Sequence, residues 1–213
     1  MNYKVIPVTA YQQNCSLIWC EKTNAAALVD PGGDVDLLQA QIETVGCRLE
    51  KILLTHGHID HVGGAAQIAA LTGVPIIGPH QADAFWLEQL PRQAEMFTFT
   101  HADAFVPDQW LEHGASVEVG DERLNVLHCP GHTPGHVVFY NASAGLVFVG
   151  DVLFQGSVGR TDFPGGDLDT LMKSIHEQLL VLDDDVVVVP GHGSLTTIGQ
   201  ERASNPFLQQ GKS

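Results

Sequence analysis

Residues 56–61 read His-Gly-His-Ile-Asp-His, three imidazoles and a carboxylate within six positions. This HxHxDH cluster constrains the fold because it starts two metal half-sites side by side and completes neither, so further ligands must arrive from elsewhere in the chain. Three candidates sit in like settings. His132 lies in Pro130-Gly131-His132-Thr133, Asp151 follows the apolar run 146–150, and His192 follows 186–191, Val-Val-Val-Val-Pro-Gly. Each is a His or Asp just past a short β-like run and beside Gly or Pro. The pattern predicts a scaffold whose strand ends converge on one rim, where functional loops sit on rigid elements.

The rest of the chain supports such a scaffold. Residues 14–20 and 25–29 read as a hairpin around the polar turn 21–24, and Asp30-Pro31-Gly32-Gly33 stops the second strand. A helix is expected from Asp34 to Val45, with Leu37, Leu38, Ile42 and Val45 on one face and Gly46 as its stop. Lys51–Thr55 is the strand that delivers the HxHxDH loop. A small-residue helix over 65–71 and a short strand at 74–77 follow. Residues 81–115 are irregular and carry Phe85, Trp86, Phe97, Phe99, Phe105 and Trp110. They read as a helical or loop excursion that roofs the site or packs on a sheet edge, its aromatics serving as core or lid rather than as a binding box. A second series then predicts strands at 116–119, 123–128, 137–141, 146–150 and 186–190, and a helix over about 167–182. The expectation is one domain over 1–213, of class α+β, built from two similar β-rich halves that meet near 113–116 and pack sheet to sheet with helices outside.

Charge and cysteine usage narrow the function. The formal net charge is −15. An acidic chain argues against nucleic acid as a partner, since that affinity comes largely from Lys and Arg contacts to phosphate, and it offers no polybasic patch to anionic lipid. No signal peptide is read at Met1–Pro7, and no run approaches the ~18 apolar residues of a membrane span. Cys15, Cys20, Cys47 and Cys129 form no CxxC and no metal-ligand spacing. They read as reduced, mostly buried thiols of a cytoplasmic protein, with packing the expected role of Cys129.

The ligand pattern resembles the metallo-β-lactamase superfamily at all seven ligand positions: His56, His58, Asp60, His61, His132, Asp151 and His192. Within it the chain looks like the glyoxalase II group (hydroxyacylglutathione hydrolases), closest to the short YcbL-type members. That likeness rests on residues 55–64 (THGHIDHVGG), 130–136 (PGHTPGH), 150–154 (GDVLF) and 190–193 (PGHG). The resemblance implies a four-layer αβ/βα sandwich. It implies one divalent ion at His56, His58 and His132, a second at Asp60, His61 and His192, and Asp151 as the bridge. Zinc is the first expectation, with iron or manganese compatible. The implied reaction is hydrolysis of a small-molecule 2-hydroxyacyl thioester by a metal-bridging hydroxide, S-lactoylglutathione giving lactate and glutathione in methylglyoxal detoxification. Asp60 and Asp151 are the implied catalytic carboxylates. The group's usual C-terminal helical segment of glutathione-holding cations is expected to be absent or rebuilt, since residues 193–213 carry only Arg202 and Lys212 as cations.

Other residues have two readings each. Arg160 steers a substrate carboxylate with Phe163 packed beside it, or it pairs with Asp162 and holds its loop. His136 supports a ligand or is a satisfied core histidine, the latter slightly preferred. His80 reads as a loop residue, and His101, His113, His128 and His176 as surface or packing residues. Two alternative functions remain: a mononuclear-iron persulfide dioxygenase, which the stretch 159–163 also resembles, and a non-catalytic metal-binding protein on the same fold. The sequence leaves the oligomeric state open.

Overall fold

The computed structural model describes residues 1–99 and 102–209; His101 and Lys212 lie outside the described residues. Strands β1 (Asn2–Val8), β2 (Gln13–Trp19), β3 (Ala25–Val29), β4 (Arg48–Leu53) and β5 (Ile76–Ile77) form one sheet in that spatial order. β1, β2 and β3 are antiparallel neighbours, whereas β3, β4 and β5 are parallel. Parallel neighbours need crossovers. Helix α1 (Val35–Val45) supplies the first, and α2 (Ile59–Val62) with α3 (Ala65–Thr72) the second. The expected hairpin and both expected helices are present. β1 was not foreseen: Lys4 and Pro7 interrupt its apolar pattern, and both residue types suit the edge position it takes. The strand expected at 74–77 shortens to Ile76–Ile77, since Pro75 has no N–H to give to a ladder.

A 3₁₀ turn at Gln81–Asp83 leads into α4 (Ala84–Glu88) and α5 (Leu90–Met96), so the unreadable stretch does contain a helical excursion. The second sheet contains β6 (Ser116–Val119), β7 (Glu122–His128), β8 (Val137–Asn141) and β9 (Leu146–Gly150). A ribbon of β10 (Leu153–Phe154) and β11 (Ser157–Val158) follows, and then β12 (Val187–Pro190) and β13 (Thr196–Thr197) complete the second sheet. Its order is β13-β12-β9-β8-β7-β6, with β12 parallel to β9. The crossover helix expected over 167–182 starts as α6 (Leu168–Ser174), capped by Asp167 on the Thr170 N–H, and continues as a π-helical turn over Ile175–Leu179. Helices α7 (Ile198–Ser204) and α8 (Pro206–Gln209) end the described chain.

Strand alternation sorts the apolar residues into three layers. Ala27 and Val29 of β3 face the second sheet and meet Phe139, Phe148 and Val189. Their neighbours Ala26 and Leu28 face outward onto Leu38, Ile68 and Leu87 of the helices. On the far side, Val147, Val149 and Val188 pack on Leu171, Ile175 and Ile198. Helix, sheet, sheet and helix thus make the αβ/βα sandwich. Because β3, β9 and β12 are covered on both faces, they read as continuous apolar runs.

The same alignment puts the loops after β4, β7, β9 and β12 at one rim. Gly131 shows how tightly the β7–β8 loop is seated. Its φ is +134°, and a Cβ there would lie 2.3 Å from the Leu171 backbone of α6. Gly131→Ala is expected to lower Tm by roughly 5–10 °C, measured by thermal unfolding of the metal-free chain.

Candidate metal centre

All seven expected ligands converge at that rim. His56 and His58 leave the end of β4, and α2 begins at once, so that Asp60 and His61 turn to the neighbouring side. The first triad is His56, His58 and His132. His58 Nδ1 lies 3.1 Å from His56 Nε2 and 3.0 Å from His132 Nε2. A tetrahedral zinc ion with Zn–N bonds of 2.0–2.1 Å sets its nitrogens about 3.3 Å apart. The second triad is Asp60, His61 and His192. Here Asp60 Oδ2 is 3.1 Å from His192 Nε2 and 3.8 Å from His61 Nε2. Asp151 lies between the two. Its Oδ1 is 3.3 Å from His61 Nε2, and its Oδ2 is 3.7 Å from His132 Nε2 and 3.8 Å from His192 Nε2.

The donor set fits divalent cations. His61 Nε2 and Asp151 Oδ1 are buried without a hydrogen-bond partner, a costly state unless a cation completes it. At His132, His61 and His56 the remote ring nitrogen is spoken for, which fixes those tautomers, whereas His58 Nε2 is buried without a partner. His132 donates from Nδ1 to Arg160 O at 2.7 Å, and His61 from Nδ1 to Asp30 Oδ2 at 2.9 Å. His56 Nδ1 meets Thr55 Oγ1 at 3.0 Å, and that hydroxyl donates to Asp30 Oδ2 at 2.6 Å. Asp30, His56 and His61 also cluster closely. Asp30 is committed internally, however, since it accepts from the Thr55 N–H as well.

Electrostatics divides the two halves. Burial pushes His56, His58 and His132 below the usual histidine range, His58 to about 3, so the first triad is neutral and ready for a cation. Burial works the same way on His61, but the Asp151 and Asp60 carboxylates outweigh it and raise its pKa well above the ordinary value. His192 also rises, with burial again overcome, here by its hydrogen bond to Asp60 and by Asp151. Asp151 is held far below the usual carboxylate range because His61 and its neighbours outweigh its burial.

The centre floors a cavity of about 490 Å³ walled by Trp86, Phe97, Phe99, Phe163 and Tyr11. The 85–110 aromatics divide between the two expected places: Phe105 and Trp110 pack on the outer core, and Trp86, Phe97 and Phe99 also wall the cavity. Leu87, Leu90 and Ala94 of α4 and α5 fill the core. Periodicity could not separate the two faces of helices this short. Arg160 and Phe163 border the same cavity, with the guanidinium 4.2 Å over the Phe163 ring. Arg160 also forms the pair with Asp162, at 2.6 Å for each of two hydrogen bonds.

His136 is a support: its Nε2 accepts from the Asp151 N–H at 3.1 Å, and its ring stacks on His56. That corrects the slight preference for an ordinary core histidine. His80 has the expected loop role, accepting from the Ala82 N–H, and Cys129 is fully buried. Several supporting residues were missed. Asn14 ties the His192 loop by donating to Pro190 O and Gly193 O, and Gln93 accepts from the Ile59 N–H. Asp30 was taken for part of a strand stop. Its position just past an apolar run is the same signal that singled out Asp151.

The model of the metallo-β-lactamase superfamily matches residues 8–192. The chain belongs to that superfamily. Among its relatives, hydroxyacylglutathione hydrolase GloC of Haemophilus influenzae is 51% identical, over 98% of both chains. The crystal structure of BLEG-1 B3 metallo-β-lactamase superposes with a TM-score of 0.90 at 36% identity, covering 97% of this chain and 99% of that one. The structure of TTHA1623 in a di-iron-bound form gives 0.88 at 38% identity, covering 96% and 100%.

Zinc uptake by the second triad should release more ring protons, from His61 and His192, than uptake by the first, whose rings are already neutral. Zinc binds the deprotonated ring, so uptake at the second triad weakens as pH falls below those raised pKa values. Calorimetry in buffers of different ionisation enthalpy counts the protons. The release should survive in His132→Ala and drop in His192→Ala.

Proposed function

We infer that the chain is a metal-dependent hydrolase of 2-hydroxyacyl thioesters, with S-lactoylglutathione as the substrate to test first. The carrying observation is the pair of complete triads around Asp151 on the floor of an aromatic cavity. The likeness to GloC over nearly the whole of both chains points to the same substrate. Bound divalent ions would supply a water acidic enough to ionise near pH 7 and a Lewis acid for the thioester carbonyl.

The chain's own residues supply the rest. Asp151 spans the triads, and Asp60 presents its carboxylate toward the cavity beside His192. We assign Asp60 to orienting the attacking water and Asp151 to holding both ions. Trp86, Phe97 and Phe163 exclude bulk water from the reacting carbonyl and cover the apolar part of the substrate. Among the described residues Arg160 is the one Lys or Arg that lines the cavity, and we assign it a substrate carboxylate, with Phe163 packed beneath. Arg202 is spent elsewhere. It donates to Leu180 O and Leu182 O, both at 2.8 Å, and pairs with Asp184. Among the described residues a tripeptide thiol with two carboxylates therefore meets few fixed cations, which favours loose selection of the thiol half.

No helix among the described residues is long and apolar enough to cross a membrane. The four free thiols suit a reducing compartment, and we place the reaction in the cytoplasm. The acidic charge supports a small-molecule substrate rather than nucleic acid.

Metal-replete protein should hydrolyse S-lactoylglutathione, and Asp151→Ala should abolish turnover. A replete chain silent on this and other 2-hydroxyacyl thioesters would overturn the reading, and oxygen uptake on a persulfide with one iron per chain would replace it by a dioxygenase. Arg160→Ala should raise KM about fivefold with kcat nearly unchanged, the size of a ~1 kcal/mol exposed charge contact.

A further inference from the structure

Asp83 is fully buried, contributes nothing to either triad, and stands at the junction between the 3₁₀ turn and α4. A carboxylate in that place would ordinarily cap the helix by accepting from its first free N–H groups. Asp83 makes no such bond to α4. Its oxygens are turned instead toward the two loops that carry the first triad. Oδ2 accepts from the Gly57 N–H at 2.9 Å and from Thr133 Oγ1 at 2.7 Å, and Oδ1 accepts from the Gly135 N–H at 2.6 Å. Gly57 lies between His56 and His58. Thr133 follows His132, and Gly135 precedes His136.

The two loops are joined at their base by the Val137 N–H to Thr55 O, at 2.8 Å. Asp83 joins them again nearer the ligand side chains. The fit leaves no slack. A Cβ on Gly57 would come 2.6 Å from the Trp86 Cβ, and one on Gly135 would come 2.5 Å from the Asp83 nitrogen. Trp86, one turn further along, packs edge-on against the His58 ring at 4.6 Å between centroids. Asp30 supports the other half-site directly at His61, and through Thr55 it also reaches His56 of the first.

We propose that Asp83 is the positioning residue of the first metal half-site, setting the spacing of His58 and His132 by holding both their loops on one buried carboxylate. The ligand chemistry concerned is a divalent cation at His56, His58 and His132. The inference rests on the two-ion reading only for that ligand assignment, and not on any substrate.

The test measures zinc affinity in two single-site backgrounds, His192→Ala to disable the second half-site and His132→Ala to disable the first. Asp83→Asn keeps the shape and sets an amide N–H against the existing donors. Affinity should fall at least tenfold in the His192→Ala background, the usual size of such support to a ligand, and stay within twofold in the His132→Ala background. The cobalt absorption spectrum should change in the first background alone. Equal weakening in both, or no weakening in the first, would overturn the proposal. Thermal unfolding in chelator checks that the variant folds. If Asp83→Asn does not, Thr133→Val removes one donor and should give a smaller loss with the same site selectivity, and equal loss in both backgrounds would again count against the idea. Because the readout is metal affinity, failure of thioester hydrolysis would leave it standing.

Discussion

The Asp30 carboxylate is the interaction on which the centre depends. It ends β3 in a left-handed conformation, with φ of 53°, and there accepts from the Thr55 backbone, the Thr55 hydroxyl and the His61 ring. Through Thr55 it also reaches His56. A buried anion is expensive unless its lone pairs are met, and a buried imidazole cluster is expensive unless each ring has a fixed acceptor. One side chain answers both demands at the junction of the two half-sites. It can do so because β3 and β4 are parallel neighbours, which puts their ends on the same rim.

From that junction the remaining parts follow by register. β9 and β12 are parallel, so Asp151 and His192 leave the second sheet side by side, and the Gly191 N–H closes on Gly150 O at 2.7 Å. The first sheet reaches across through β2, where the Asn14 N–H donates to Gly191 O at 2.7 Å. The inter-sheet core of Val29, Phe139, Phe148 and Val189 holds the two rims together. The site is therefore a property of the sandwich and not of any one loop.

The sequence announced these features unevenly. Doubly covered strands were plain, because burial on both faces leaves uninterrupted runs such as Val186–Val189, and the ligands stood out by following those runs. Edge strand β1 was hidden, since an edge tolerates Lys4 and Pro7. The 81–99 stretch was opaque because α4 and α5 are too short for a periodic face, so the division between core-facing Leu87 and cavity-facing Trp86 depends on tertiary context. The supporting carboxylates escaped notice for other reasons. Asp83 acts through hydrogen bonds to groups 26 to 52 residues away, a distance over which local pattern carries no signal, whereas Asp30 stood just past an apolar run like Asp151 and was read as a strand stop.

The Arg160 loop has two attachments of different kinds. Its side chain borders the cavity, while its carbonyl oxygen receives the His132 Nδ1 proton. Just before it, Gly159 passes so close to Asp151 that a Cβ would overlap the Asp151 carbonyl oxygen. The loop is thus fixed in length and path by the metal ligands themselves, while the side chains at 160 and 163 border the cavity without belonging to either triad, held by Asp162 and by each other. Divergence of specificity on this scaffold has an open route through replacement at those two positions and a closed one through insertion or deletion between 151 and 160.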